Sequence, residues 1–186
     1  MAAARIRSDE TRERIARAAR RLFAEHGYER TTIRAVAGEA GIDPSMVMRY
    51  FGSKEGLFAA VSSFDLRLPD LAALPREAVG RALVRHFLTR WEQGDDGLVV
   101  LLRAASSNEE ARARMREIFA SQVLPRIAGI AEDEAALRAE LIASQILGLA
   151  FCRFVLRLPH LSGPDAEAVV ERVGSVVQFH LFGAAR

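Results

Sequence analysis

The sequence holds a single cysteine, Cys152, among 186 residues. An internal disulfide framework is therefore excluded, and a reducing, cytoplasmic setting is expected. Half of the residues are apolar, yet no apolar run approaches the length that spans a bilayer, so no membrane partner is expected. The N-terminal arginines lead into no apolar signal core. Period-two alternation and internal repeats are lacking, which argues against strands and solenoids. The four histidines (His26, His86, His160 and His180) are scattered, with no His-Glu-x-x-His run and no Cys-x-x-Cys pair, so neither a metal nor a cofactor is expected. Gly-rich phosphate loops and a Gly-x-Ser-x-Gly elbow are absent too. Cys152 lies in an apolar helical stretch and reads as an inert core thiol. Asp95-Asp96 and Glu109-Glu110 fall at turns or helix starts, where acids need no catalytic explanation. Enzymatic chemistry thus finds no constellation to act through.

An excess of one charge is lacking as well, the net being +2. Eleven Arg and Lys face eight Asp and Glu through Gly56, and fifteen face sixteen beyond it. Solvated helix faces explain so mild an asymmetry as well as nucleic acid does. A nucleic-acid reading must rest on a motif.

What is present is helical periodicity. Thr11 to His26 carries Ile15, Ala18, Ala19, Leu22 and Phe23 on one face, and Gly27 ends that helix. Ile33, Val36, Ala37 and Ala40 form the apolar face of a second helix, which Gly41 stops by reaching the left-handed conformation cheaply. Asp43 then caps a third helix, with Pro44 at its first position and an end near Tyr50. Barely two turns long, that helix needs neighbours to hold it. Ser53 caps a fourth, through Leu57, Phe58 and Val61. Two short helices across a tight turn, on a small apolar head, make a helix-turn-helix of the kind that presents a helix to base edges.

The run LFAEHGYERTTIRAVAGEAGIDPSMVMRYFGSKEGLF resembles the N-terminal domain of TetR-type transcriptional regulators. The resemblance is carried by Phe23-x-x-x-Gly27-Tyr28, the paired Thr31-Thr32, the Ala40-Gly41 turn, Tyr50-Phe51 and Ser53-Lys54-Glu55-Gly56-Leu57. It covers about a third of the chain, roughly Thr11 to Val61. It implies a DNA-binding domain over 1–61 and a C-terminal regulatory and dimerisation domain over 62–186. It also implies a homodimer on a palindromic operator and repression relieved by a small apolar or amphipathic effector. By resemblance and chemistry, Pro44, Ser45, Met46 and Arg49 face the groove. Arg49 suits guanine O6 and N7, and Met46 suits a thymine methyl. Thr32 and Tyr50 offer hydroxyls to phosphate, Lys54 an ammonium at a helix start, and Arg34 a backbone clamp. Arg5 and Arg7, in an N-terminal arm, add backbone or minor-groove contacts. Tyr50 has the alternative of packing within the head, and Arg34 that of a solvated surface residue. The family commonly has Thr or a similar polar residue at position 46 and an aromatic at 48. Met46 and Met48 depart from both, so the recognition surface is more apolar and the operator is this chain's own.

Beyond Val61 the pattern stays all-α. LPDLAALP reads as a connector, Arg76 to Gln93 as a helix, QGDDG as a turn, and Leu98 to Ala105 as a short helix. Ser107 followed by Glu110 suggests a capping box for the next helix, which Pro125 kinks or ends. Asp133 to Leu158 is a long helix closed by Pro159, and Pro164 opens a last helix to about Phe182. Hydrophobicity on nearly every side of Ile142, Ile146, Leu149, Phe154 and Val155 demands cover on nearly every side. Ile142, Ile146 and Leu149, with Val169, Val173, Val176 and Val177, are the expected dimer interface; the alternative is an intrachain core. Phe87, Trp91, Leu102, Met115, Phe119, Phe151 and Phe154 are the candidate lining of an apolar ligand cavity, with Arg103 as its polar anchor. Alternatively these aromatics are plain core and Arg103 pairs with a carboxylate. Two further readings stay open: a DNA-binding regulator without an effector, and a helical ligand-binding protein without DNA binding.

Overall fold

The computed structural model describes residues 2–62, 65–92, 97–163 and 165–183, with side chains from Ser8 onward. Every regular element among them is helical. The helices are α1 (Ala2–Arg30), α2 (Ile33–Ala40), α3 (Pro44–Phe51), α4 (Lys54–Val61), α5 (Val79–Glu92), α6 (Gly97–Ala104), α7 (Glu109–Ile118), α8 (Leu124–Ala128), α9 (Ala135–Ala150), α10 (Pro159–Ser162) and α11 (Ala166–Phe182). The connector contributes two single 3-10 turns, Leu71–Ala73 and Arg76–Ala78. Two compact units result: residues 1–64 with 96–112, and residues 65–95 with 113–186. By sequence, 62–186 is the expected C-terminal domain, and compactness is a separate criterion. Compactness groups 96–112 with the head, because α6 packs along α1.

In the first unit, Gly27 interrupts α1 with φ 77° and ψ 173°. Tyr28 can then fold back, its ring stacked 5.8 Å from Phe23 and edge-on to Phe58 at 4.9 Å. Phe23 and Phe58 meet at 5.3 Å. With Ile15, Val36, Val47, Leu57 and Val61, all shut off from solvent, this aromatic triad is the core that holds α3. Each such side chain contributes roughly 1.5–3 kcal/mol of burial. The helix start read at Thr11 lies earlier, at Ala2, so the backbone at Arg5 and Arg7 is helical where an arm was expected.

In the second unit α11 packs on α5 and α9, and α8 on α9. The α5–α11 crossing is made close by two glycines. A methyl on Gly174 would stand 2.8 Å from Cα of Arg81, and one on Gly80 would overlap the Gly174 carbonyl. Gln178 staples the crossing, accepting from Gly80 N–H (2.8 Å) and donating to Arg76 O (2.8 Å).

Several local expectations need correction. Asn108, not Ser107, caps α7, its side chain accepting from Ala111 N–H at 2.8 Å. Pro125 does not end its helix: a wide π turn, Phe119–Val123, precedes α8 and absorbs both the missing N–H and the ring. A second π turn, Phe151–Val155, extends α9. Ala135–Val155 is in fact one helical stretch long and apolar enough to cross a bilayer by length and composition. Its apolar content is high because one side packs on α8 and α11 while another side is also apolar. Asp165 caps α11, accepting from Ala168 N–H at 3.0 Å; Pro164 lies outside the described residues.

Candidate nucleic-acid interface

The turn between α2 and α3 is built by hydrogen bonds that its residue types dictate. Thr31 Oγ donates to Leu22 O (3.1 Å) and Gly27 O (2.8 Å), tying the end of α1 to the start of α2. Thr32 caps α2, its hydroxyl accepting from Ala35 N–H at 3.1 Å. Gly41 takes φ 62° and ψ 44°. Its N–H then reaches Gly38 O (3.1 Å) while that of Ile42 reaches Ala37 O (3.0 Å), closing the helix. Asp43 accepts from Ser45 N–H at 2.8 Å. Hydrogen bonds from Ser45 hold its carboxyl below the usual range, so the cap is charged where α3 needs an anion.

The α3 side chains divide by burial. Val47 is fully buried. Pro44, Met46 and Tyr50 are half-buried, whereas Ser45, Met48 and Arg49 are exposed. Arg49 makes no hydrogen bond or ion pair among the described residues, and neither does the exposed Arg34 on α2. Met48, on the recognition surface but outside the expected set of direct contacts, is 45% exposed beside Ser45 and Arg49. Its spacing three residues from Ser45 was the available signal. Tyr50 packs inward in part and its hydroxyl meets Ser8 Oγ at 3.2 Å. Lys54 lies 4.3 Å over the Tyr28 ring and donates to Glu29 O at 3.3 Å. The side chains of Arg5 and Arg7 lie outside the described residues.

Beneath Lys54, Tyr28 donates to Glu55 at 3.0 Å. Burial, and then the Glu55 carboxylate, push the Tyr28 hydroxyl up to about 12. Glu55 is held low by its own main-chain N–H, by Ser53 and by Tyr28. On the far side Arg14 donates to Ala40 O at 2.5 Å, so α1 grips the turn itself.

In the second unit only part of the expected ligand lining comes together. Phe87 and Trp91 lie 5.7 Å apart, and Trp91 and Phe154 5.4 Å apart. Met115 and Phe119 are half-buried. Phe151 is 39% exposed and makes no ring contact with the cluster among the described residues. Leu102 and Arg103 belong to the first unit, where Arg103 donates to Glu25 O at 3.4 Å rather than to a carboxylate. No metal-binding group of His, Cys, Asp or Glu exists among the described residues.

The expected interface residues need a larger correction. Ile142, Ile146, Leu149, Val169 and Val177 are all buried within the chain itself, because their stripe is the one that α9 and α11 turn inward. Val173 is half-buried and Val176 is 42% exposed. The outward stripe of α9 is instead Leu137, Leu141, Ser144, Gly148 and Phe151, at alternating spacings of four and three. Phe179, 56% exposed, joins Val176 on α11. This heptad spacing is readable in the sequence.

Residues 15–61 match the family described as bacterial regulatory proteins, tetR family. Residues 66–181 match the tetracyclin repressor-like C-terminal domain. A TetR-family regulator from Streptomyces coelicolor A3 is 30% identical in its crystal structure, covering 92% of this chain and 94% of that one with a TM-score of 0.60. The HTH-type transcriptional repressor AcnR of Corynebacterium glutamicum is 42% identical over 55 residues, which is 30% of this chain and 29% of AcnR. The chain thus spans less than a third of that curated relative. SmeT in complex with triclosan shares the fold at 21% identity and a TM-score of 0.62, over 90% of this chain and 91% of that one.

Proposed function

We propose, from the premise that the chain belongs to the tetR family of bacterial regulatory proteins, that it binds duplex DNA as a homodimer and controls transcription. The observation that carries this reading is the capped α3 with Ser45, Met48 and Arg49 outward and Val47 locked in the core. Arg49, with no partner of its own among the described residues, is the base-reading donor, suited to guanine. Pro44 and Ser45 flank it, and Met48 joins Met46 as apolar surface for thymine methyls. Thr32, Arg34 and Tyr50 contact phosphates, as do Arg5 and Arg7. Lys54 leaves the Tyr28 ring to do the same.

Two copies pair through the outward stripes of α9 and α11. Leu137, Leu141, Phe151, Val176 and Phe179 are too many large exposed apolar groups for ordinary surface. Ser144 and Gly148 let the mates approach, since a Cβ at Gly148 would meet nothing within 4 Å. A twofold pair of heads fits a palindromic operator with half-sites one helical turn, or a multiple, apart. The chain acts in the cytoplasm, and the apolar face of α9 serves pairing rather than a bilayer. The Phe87–Trp91–Phe154 cluster receives a small apolar or amphipathic effector whose binding favours a DNA-incompetent arrangement and so relieves repression. SmeT, with the same fold, holds triclosan.

Light scattering and operator binding test the reading together. The wild-type chain runs as a dimer and binds a palindrome with steep salt dependence. Leu141→Glu with Phe179→Glu gives a folded monomer that loses operator binding. A wild-type monomer, or a double variant that still dimerises, overturns the pairing. Equal affinity for a palindrome and for random duplex overturns the regulator.

A further inference from the structure

We infer that Arg153, Trp91 and Phe154 form a subsite for the carboxylate of an organic acid with an apolar body, Glu92 occupying the place of that carboxylate in the free protein. This rests on the reading of the chain as effector-controlled, and names the effector's class.

Arg153 is the one charged residue buried among the described residues. A buried guanidinium must keep an anion beside it, because removing the anion leaves an uncompensated charge out of water. Its main chain is fixed within the π turn Phe151–Val155, where Ser162 Oγ donates to Arg153 O at 2.9 Å. One arm of the guanidinium donates to Leu161 O, and the other to Glu92 Oε1 at 2.6 Å. The pair is lopsided: the Arg153 side chain is 9% exposed and that of Glu92 is 46% exposed. Glu92 stands at the last position of α5 and can return to water at small cost, whereas Arg153 cannot. An incoming carboxylate that takes its place keeps both the charge balance and the hydrogen bond.

A second donor lies on the neighbouring residue. Trp91, adjoining Glu92 in the chain, is 6% exposed, and its buried indole N–H has no acceptor among the described residues. A buried unpaired donor is a standing cost that an acceptor relieves. Both residues approach the same ring. The Trp91 indole lies 5.4 Å from the Phe154 centroid and Arg153 Cζ 5.7 Å from it. A carboxylate has two oxygens to offer, one to each donor, and the rings of Phe154, Trp91 and Phe87 suit an apolar body.

Trp91 is the single tryptophan of the chain, so its emission reports on the site directly. The full-length protein is titrated, without DNA, with 4-phenylbutyrate and with its neutral amide. The acid shifts the emission saturably and binds at least about tenfold more tightly than the amide, as a charge-assisted contact requires. Arg153→Gln abolishes that preference. Glu92→Gln, which lowers stability by leaving the Arg153 guanidinium without its anion, strengthens acid binding severalfold by removing the competitor, and the bound acid restores the lost stability. Equal affinity for acid and amide, no saturable shift, or an unchanged affinity in Glu92→Gln overturns the subsite. If Arg153→Gln fails to fold by circular dichroism, Glu92→Gln decides. Operator binding is read separately. Saturable acid binding that leaves operator affinity untouched sinks the effector reading but keeps the subsite. Operator release by neutral compounds, without any preference for the acid, does the reverse.

Discussion

Arg14 and Ala40, 26 residues apart, are joined by a hydrogen bond of 2.5 Å from the guanidinium to the main-chain carbonyl that ends α2. The same side chain reaches Gly41 O at 3.4 Å. The turn that sets the angle of α3 is therefore held from outside as well as by its own left-handed glycine. Because Arg14 is exposed, Arg14→Ala is expected to cost the head only about 0.5–1.5 kcal/mol, measured by urea denaturation. The larger effect is expected in operator affinity, since α3 loses its fixed pitch. Lysine at position 14, able to make one of the two contacts, restores part of it.

Arg49→Ala is expected to relax base preference at one operator position, losing about 1–3 kcal/mol of discrimination there. Selection from a randomised duplex pool reads this directly. Lys54→Ala is expected to weaken every sequence alike and to lower the salt slope by about one. If Arg49→Ala leaves the selected sequence unchanged, another α3 side chain reads the base.

Alkaline pH should loosen the head. Tyr28 is raised from 10.0 to about 12 in the folded chain, so the unfolded chain gives up that proton first. The contribution is complete below pH 10 and is lost as pH rises toward 12. Tyr28→Phe is expected to remove this decline in thermal stability, and with it an absorbance step at 295 nm near pH 12. At the acid end the sign reverses. Asp43 and Glu55 are both lowered, so their support is present above the ordinary carboxylate range and disappears as pH falls through their folded values.

Gly174→Ala is expected to destabilise the second unit by about 1–3 kcal/mol, the usual cost of overpacking, because its methyl meets the backbone of Arg81 at 2.8 Å. Gly148→Ala, facing open space, is expected to leave monomer stability unharmed. Thermal melts of the two variants provide the comparison.

Local rules made the head readable. Gly41, Asp43, Pro44 and Ser53 each act on neighbours within four residues, so their roles follow from residue type alone. The Ser8–Tyr50 contact spans 42 residues, and no local pattern announces it. Ser107 and Asn108 are both good caps, and choosing between them depends on where the preceding helix ends. On α9 two apolar stripes run side by side, Ile142–Ile146–Leu149 and Leu137–Leu141–Phe151. Periodicity identifies both. Which one meets the chain's own core is decided by how α8 and α11 fold back on α9, which the pattern within α9 does not state. The ligand residues part for a similar reason: Phe151 and Phe154 share a π turn but not their exposure, and Arg103 belongs with α6 to the other unit.

The Gly80–Gly174 crossing has a mechanical consequence. With backbone against backbone at that point, and the Gln178 amide bonded through both its oxygen and its nitrogen, α5 and α11 have no layer of side chains at the crossing on which to slide or roll. They behave as one welded beam. Any motion within the second unit has to be taken up elsewhere, and the two wide turns at Phe119–Val123 and Phe151–Val155 are the joints where a helix already departs from its regular pitch.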